Sequence, residues 1–231
     1  SALTARLRLL AGVPVIRHIR SKPPAAPNDS PPVAKPVTGT GRVFAIAAST
    51  GGPQALAQLL PCLPANFPAP VLVVQHIADG FAAGMAAWLN DLCPLPVALA
   101  RDGESLVAGR IYLADSTTHL AVTAGPRLQL RPRAAKDIYR PSCDVMLCSA
   151  AEIFGRLTVG VILTGMGRDG VRGMVAIRQA GGATLAQDEA TSVVYGMNRE
   201  AITAGGVQWV LPLTEIASRI NGLAHAPVLA S

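Results

Sequence analysis

The sequence has few cysteines and no metal-binding arrangement of them. Cys62, Cys93, Cys143 and Cys148 form no C-x-x-C pair, and no histidine is spaced to complete a zinc site with them. Spacing therefore supports no structural zinc, and no metal or other cofactor is expected. No apolar run is long and uncharged enough to span a bilayer, which argues against membrane insertion. Arg6 and Arg8 interrupt the first apolar residues, which do not resemble a signal peptide. A cytoplasmic location with reduced thiols is expected. There is no internal repeat and no coiled-coil pattern, and a monomer is expected.

Positive charge is missing where a nucleic-acid-binding body would need it. The chain carries a formal +6, but residues 1–42 hold seven of its 20 Lys/Arg and only one of its 14 acids. The remainder is formally neutral, so no nucleic-acid surface is expected there. Aromatic residues make up only 4% while half the residues are apolar, mostly alanine, leucine and valine, which suits an α/β protein.

The length of 231 residues allows one sizeable core with appendages. Residues 2–11 have a short amphipathic pattern, and residues 21–40 are rich in proline without any aromatic. Residues 1–41 thus read as a basic, Pro-rich linker that cannot build a core. Residues 42–224 read as one α/β domain and 225–231 as a tail. Within the domain, buried strands are expected at Val43–Ala48, 69–76 and 159–163, because their apolar runs do not alternate. A helix after Asp79-Gly80 should carry Phe81, Met85, Trp88 and Leu89 on one face. Residues 110–114, 119–123 and 127–131 are spaced as hairpin-like antiparallel strands at one edge. Helices are expected over 145–154, 171–180, 198–204 and 214–224, the last with Thr214 as its N-cap. The fold class is a doubly wound, mostly parallel sheet with helices on both faces and a short antiparallel hairpin region.

Three of the buried strands end in chemistry. Ser49 follows the first in Ser-Thr-Gly-Gly, His76 ends the second, and Asp169 follows the third in Thr164-Gly-Met-Gly-Arg-Asp-Gly170. Parallel strands bring their carboxyl ends to one edge, so the three residues can meet in one cleft. A serine hydroxyl needs a histidine to take its proton, and that histidine needs a carboxylate to fix its tautomer. Met166 is a candidate backbone donor to an oxyanion, with Thr50 shaping the other side. Simpler roles compete: Asp169 could cap the helix beside it, and Ser-Thr-Gly-Gly could be a plain N-cap turn. Asp79, Asp102, Asp115, Asp144 and Asp188 also occupy loops, and Arg140 or Arg168 could hold an anion. The turn could instead cradle a phosphate, but His76 stands where a ribose-binding acid would be, and no Gly-Lys-Ser/Thr follows. A non-catalytic adaptor gripping a partner through the same cleft is a third reading.

The segments 48–52 (Ala-Ser-Thr-Gly-Gly), 74–76 (Val-Gln-His), 140–144 (Arg-Pro-Ser-Cys-Asp), 161–170 and 194–201 together resemble the catalytic domain of the CheB methylesterases, in register from Val43 to Ile220. The resemblance implies hydrolysis of glutamate γ-methyl esters on the cytoplasmic helices of methyl-accepting chemoreceptors, with release of methanol. Deamidation of receptor glutamines often accompanies it. It also implies Ser49 as nucleophile, His76 as general base and acid, Asp169 as orienting carboxylate, Met166 as oxyanion donor and Thr50 as its neighbour. Ala47 stands where the family commonly has glycine, and activity is expected to survive the extra methyl. The family usually carries a phosphorylated receiver domain; nothing in this sequence resembles one, and it is expected upstream in a longer protein.

Overall fold

The computed structural model describes residues 41–226. The amphipathic pattern at 2–11, the Pro-rich linker except for Gly41, and residues 227–231 of the tail lie outside the described residues. No helix among the described residues is long and apolar enough to cross a membrane.

The chain runs β1 (Val43–Ala48), α1 (Gly52–Leu59), β2 (Val71–Gln75), α2 (Ala82–Leu92), β3 (Val97–Leu99), β4 (Ile111–Leu113), β5 (Thr118–Thr123), β6 (Arg127–Pro132), α3 (Cys143–Phe154), β7 (Thr158–Ile162), α4 (Val171–Gln179), β8 (Ala183–Gln187), α5 (Met197–Thr203), β9 (Trp209–Leu211) and α6 (Leu213–His225). Seven strands form one sheet in the order β3-β4-β2-β1-β7-β8-β9, and every pairing in it is parallel. The central strands are apolar throughout because both faces are covered. On one face Phe44, Ile46, Val71 and Val73 pack with Leu56 and Leu59 of α1, Met85 and Leu89 of α2, and Ile216 and Ile220 of α6. On the other, Val43, Ala45, Ala47 and Val74 pack with Met146 and Leu147 of α3 and Met174 and Ile177 of α4. Helices α1 and α4 therefore leave the adjacent strands β1 and β7 on opposite faces. That divergence opens a crevice at the carboxyl ends of these strands, the usual ligand position in such sheets.

Four local expectations need correction. Ile111–Leu113 belongs not to the hairpin but to the parallel sheet, between β3 and β2. All three residues are buried, and a strand this short has no room to show a pattern. The hairpin consists of β5 and β6, which form a separate antiparallel sheet. On α2 the buried face is Ala82, Met85, Ala86 and Leu89, while Phe81 (66%) and Trp88 (44%) are exposed. The small alanines let the helix lie close to the core and turn the aromatic stripe outward. Helix α6 starts at Leu213 with Pro212 before it, so Thr214 is not its cap; the Leu213 N–H donates instead to Thr191 Oγ1 at 3.1 Å. His225, expected in the tail, is the last residue of α6.

Candidate active site

Strand register sets the site before any side chain does. Ala48 lies opposite Gln75 and Ala47 opposite Ile162. The next residues stay level: His76 N–H donates to Ala48 O at 3.1 Å and Ser49 N–H to Thr164 O at 3.0 Å. Beyond Ser49 the chain must turn at once into α1. Gly51 makes that turn at φ 81°, a left-handed conformation that favours glycine. Gly165 presses against the serine from the β7 side: a methyl there would lie 2.7 Å from Ser49 Cβ.

Ser49, His76 and Asp169 meet. His76 Nδ1 lies 3.0 Å from Ser49 Oγ, and its Nε2 lies 2.8 Å from Asp169 Oδ2. A carboxylate only accepts, so the Nε2 proton faces Asp169 and the Nδ1 lone pair faces the serine O–H. That is the tautomer a base needs to deprotonate Ser49. Asp169 is 2% exposed and does not cap its own helix, whose N-cap is Gly170 without a side-chain bond. It sits instead at the start of α3. It accepts from Cys143 N–H at 2.6 Å, Asp144 N–H at 2.9 Å and Ser142 Oγ at 2.9 Å, besides His76. Burial pushes its pKa up, but the hydrogen bonds from His76 and these two amides outweigh burial and hold it below the ordinary carboxylate value.

The family described as CheB methylesterase matches residues 44–220. The chain belongs to the CheB methylesterase family. It is similar to a protein-glutamate methylesterase/protein-glutamine glutaminase of Paramagnetospirillum magneticum, 50% identical over 229 residues that cover 96% of this chain and 64% of that one. It is also similar to the protein-glutamate methylesterase FrzG of Myxococcus xanthus, 46% identical over 220 residues, 94% of this chain and 64% of that one. The chain thus spans less than two thirds of the length of these relatives. Among solved structures, the CheB methylesterase catalytic domain of Thermotoga maritima superposes with a TM-score of 0.77 at 39% identity, covering 79% of this chain and 98% of that one.

Around the three residues, this CheB-family site has further parts. Among the described residues the backbone N–H groups of Thr50 and Met166 have no protein acceptor. Both flank Ser49, one along the chain and one beyond Gly165. The Met166 side chain is 71% exposed, so any contribution to an oxyanion comes from its backbone. Gln75, to which the sequence reading gave no role, donates to Ser49 O at 2.9 Å and His76 O at 2.8 Å. Thr164 Oγ1 donates to Thr50 O at 2.9 Å. Tyr139 stacks on the His76 ring, centroids 5.3 Å apart and planes at 13°. Besides their places in the segments 74–76 and 140–144 that carry the family resemblance, a polar residue ending an apolar strand is the sign of Gln75, and a Pro-Ser pair before a helix the sign of Ser142.

The other candidates are engaged elsewhere. Asp79 pairs with Arg133 and Asp144 with Arg172. Asp102 accepts from Leu130 N–H, Asp115 from Ser116 N–H, and Asp188 from Thr191 N–H. Arg168 pairs with Glu200, and Arg140 donates to Asp137 O. His76 Nε2, Cys143 Sγ and an Asp169 oxygen lie within 4.8 Å of one another. This donor set does not fit a metal well. Burial first, then the neighbouring Asp169 charge, push the Cys143 thiol well up, and the aspartate oxygens already face four hydrogen-bond donors. A 410 Å³ cavity lined by His76, Ile77, Ala78, Ile138, Tyr139 and Arg140 opens the histidine edge to the surface.

Proposed function

We propose that this chain is the hydrolytic part of a protein-glutamate methylesterase acting on γ-methyl glutamates of chemoreceptor cytoplasmic helices, and on receptor glutamines as a deamidase. The hydrogen-bonded series Ser49–His76–Asp169 carries the reading; the family membership and the names of the relatives support the substrate. Ser49 Oγ attacks the ester carbonyl carbon while His76 Nδ1 takes its proton. The oxyanion that forms is met by the Thr50 and Met166 N–H groups, and Asp169 balances the imidazolium. Collapse expels methoxide, which takes the proton from His76 and leaves as methanol. Water then attacks the Ser49 ester, its proton passing to His76. The second collapse returns the proton from His76 to Ser49 and frees the glutamic acid carboxyl, which gives its remaining proton to solvent. With glutamine as substrate the same steps release ammonia.

On this reading the unit is residues 42–224, it works as a monomer in the cytoplasm without a cofactor, residues 1–41 are a linker, and a receiver domain is its regulator. Exposed Phe81, Ile138, Met166 and Val193 come from four different loops and give a receptor helix an apolar contact. Methanol release from methylated receptor membranes tests the proposal. Ser49→Ala should lower the rate by about a million-fold with the fold intact; an unchanged rate would sink it.

A further inference from the structure

Asp169 has a donor that belongs to neither the histidine nor the helix backbone: the Ser142 hydroxyl, 2.9 Å from Oδ1. Ser142 ends the loop that joins β6 to α3. Its N–H donates to His119 Nδ1 at 3.0 Å, and His119 Nε2 lies 2.9 Å from Asp137 Oδ2. An Nδ1 that accepts an amide proton must leave the ring proton on Nε2, and a carboxylate is the partner that tautomer needs. His119 is therefore a neutral ring fixed at both nitrogens. It is buried on β5, outside the reacting groups, and its other partner Asp137 also accepts from Ala134 N–H at 2.6 Å. The hydrogen bond from His119, followed by that from Ala134, holds the Asp137 carboxyl below its ordinary range.

The same loop touches the site twice more. Tyr139 lies flat on the His76 ring, and its hydroxyl accepts from Arg168 N–H, the residue before Asp169, at 3.4 Å. A second carboxylate–histidine pair thus lies behind the first, and the two are joined through Ser142. We propose that His119, braced by Asp137, is a positioning residue for the hydrolysis: it holds residues 139–142 so that Ser142 donates to Asp169 and Tyr139 covers His76. An ordinary buried histidine would end its bonds on the scaffold. Here they end, one residue on, at the carboxylate that orients the base. The inference rests on the esterase reading above.

The experiment compares wild type, Ser142→Ala, Asp137→Asn, His119→Gln, His119→Leu and Ser49→Ala by methanol release across pH, with thermal melting as the fold control. Ser142→Ala should lower kcat about tenfold, as befits loss of a hydrogen bond to a charged group, with KM within about twofold. A carboxylate with one donor fewer attracts the imidazolium more strongly, so the acid limb of the profile should move up by roughly half a pH unit. The other groups facing this region remain unchanged in that variant: the Cys143 thiol, Asp144 paired with Arg172, Arg168 paired with Glu200, and Lys136 and Asp137 on the loop. His119→Gln keeps a donor and an acceptor and should retain more kcat than His119→Leu; Asp137→Asn should fall between wild type and Ser142→Ala. If His119→Leu does not fold, Ser142→Ala and Asp137→Asn decide. A Ser142→Ala enzyme with kcat within about twofold of wild type and an unmoved acid limb overturns the proposal. If wild type releases no methanol, or Ser49→Ala releases it at the wild-type rate, the reading above fails; if only the loop variants match wild type, the positioning role alone fails.

Discussion

Asp169→Asn keeps the shape of the side chain and removes its charge. The carboxylate accepts from Cys143 N–H, Asp144 N–H, Ser142 Oγ and His76 Nε2, and an amide cannot accept at both ends. With its NH2 in place of Oδ2, it would meet Cys143 N–H at 2.6 Å and leave His76 without an acceptor. With its NH2 in place of Oδ1, only the Asp144 amide loses its acceptor, because the Ser142 hydroxyl can rotate and accept. A buried donor left without a partner costs about 1–3 kcal/mol, so stability near neutral pH should fall by about 2 kcal/mol. Catalysis should fall further. On the proposed mechanism His76 becomes an imidazolium in the transition state, and its counter-charge 2.8 Å away is gone; the expected loss in kcat is about 10,000-fold. Urea unfolding adds a pH signature. The folded carboxyl is held below the ordinary 3.8, so its stabilisation is full above that value and is lost as pH falls through the lower, folded one. Below 3.8 the stability gap between wild type and Asp169→Asn should therefore shrink as pH falls. A variant as stable as wild type near neutral pH, or one keeping more than about a tenth of the rate, refutes the reasoning.

Gly165→Ala would put a methyl 2.7 Å from Ser49 Cβ, 3.2 Å from its backbone N and against the Met197 sulfur. It should lower kcat by about 100-fold and stability by roughly 1–3 kcal/mol, read from methanol release and a melting curve; full activity would mean that the two loops yield freely. Cys143 is buried and its thiol is pushed up, while Cys62 is exposed. Iodoacetamide on the native protein near neutral pH should label Cys62 and spare Cys143 until urea is added, with peptide mass spectrometry as the readout. Prompt native labelling of Cys143 would contradict the burial.

The site's residues were legible because each lies at the end of a long apolar run or in the loop that follows one. The apolar runs at Val43–Ala48, 69–76 and 159–163 announce buried parallel strands, and a polar residue at or past the end of such a strand has few places to go but the sheet's carboxyl edge. The supporting residues had no such signal. Gln75 reaches Ser49 across 26 positions, and Ser142 reaches Asp169 across 27; no local period records contacts of that span. Asp169 read equally well as a cap for the helix beside it, and it does serve a helix start, but that of α3. Residues 110–114 read as part of the hairpin because so short a run cannot show whether one or both faces are covered. On α2, Phe81 and Trp88 fit a helical stripe with Met85, yet the alanines at 82 and 86 decide which side packs.

The order β2-β1-β7 has a consequence for the chemistry of one ring. His76 follows β2, next door to Ser49 at the end of β1, while Asp169 arrives from beyond β1, after β7. Of the two imidazole nitrogens, Nδ1 is nearer the histidine's own backbone and Nε2 reaches farther. The short arm meets the neighbouring strand's serine and the long arm spans to the distant acid. Sheet topology, rather than any property of the imidazole, thereby selects which nitrogen gives up the lone pair. A protein that carried the same three residues with nucleophile and acid exchanged between β1 and β7 would have to use the opposite tautomer. Nitrogen-15 chemical shifts of a single labelled histidine would tell the two designs apart without a substrate present.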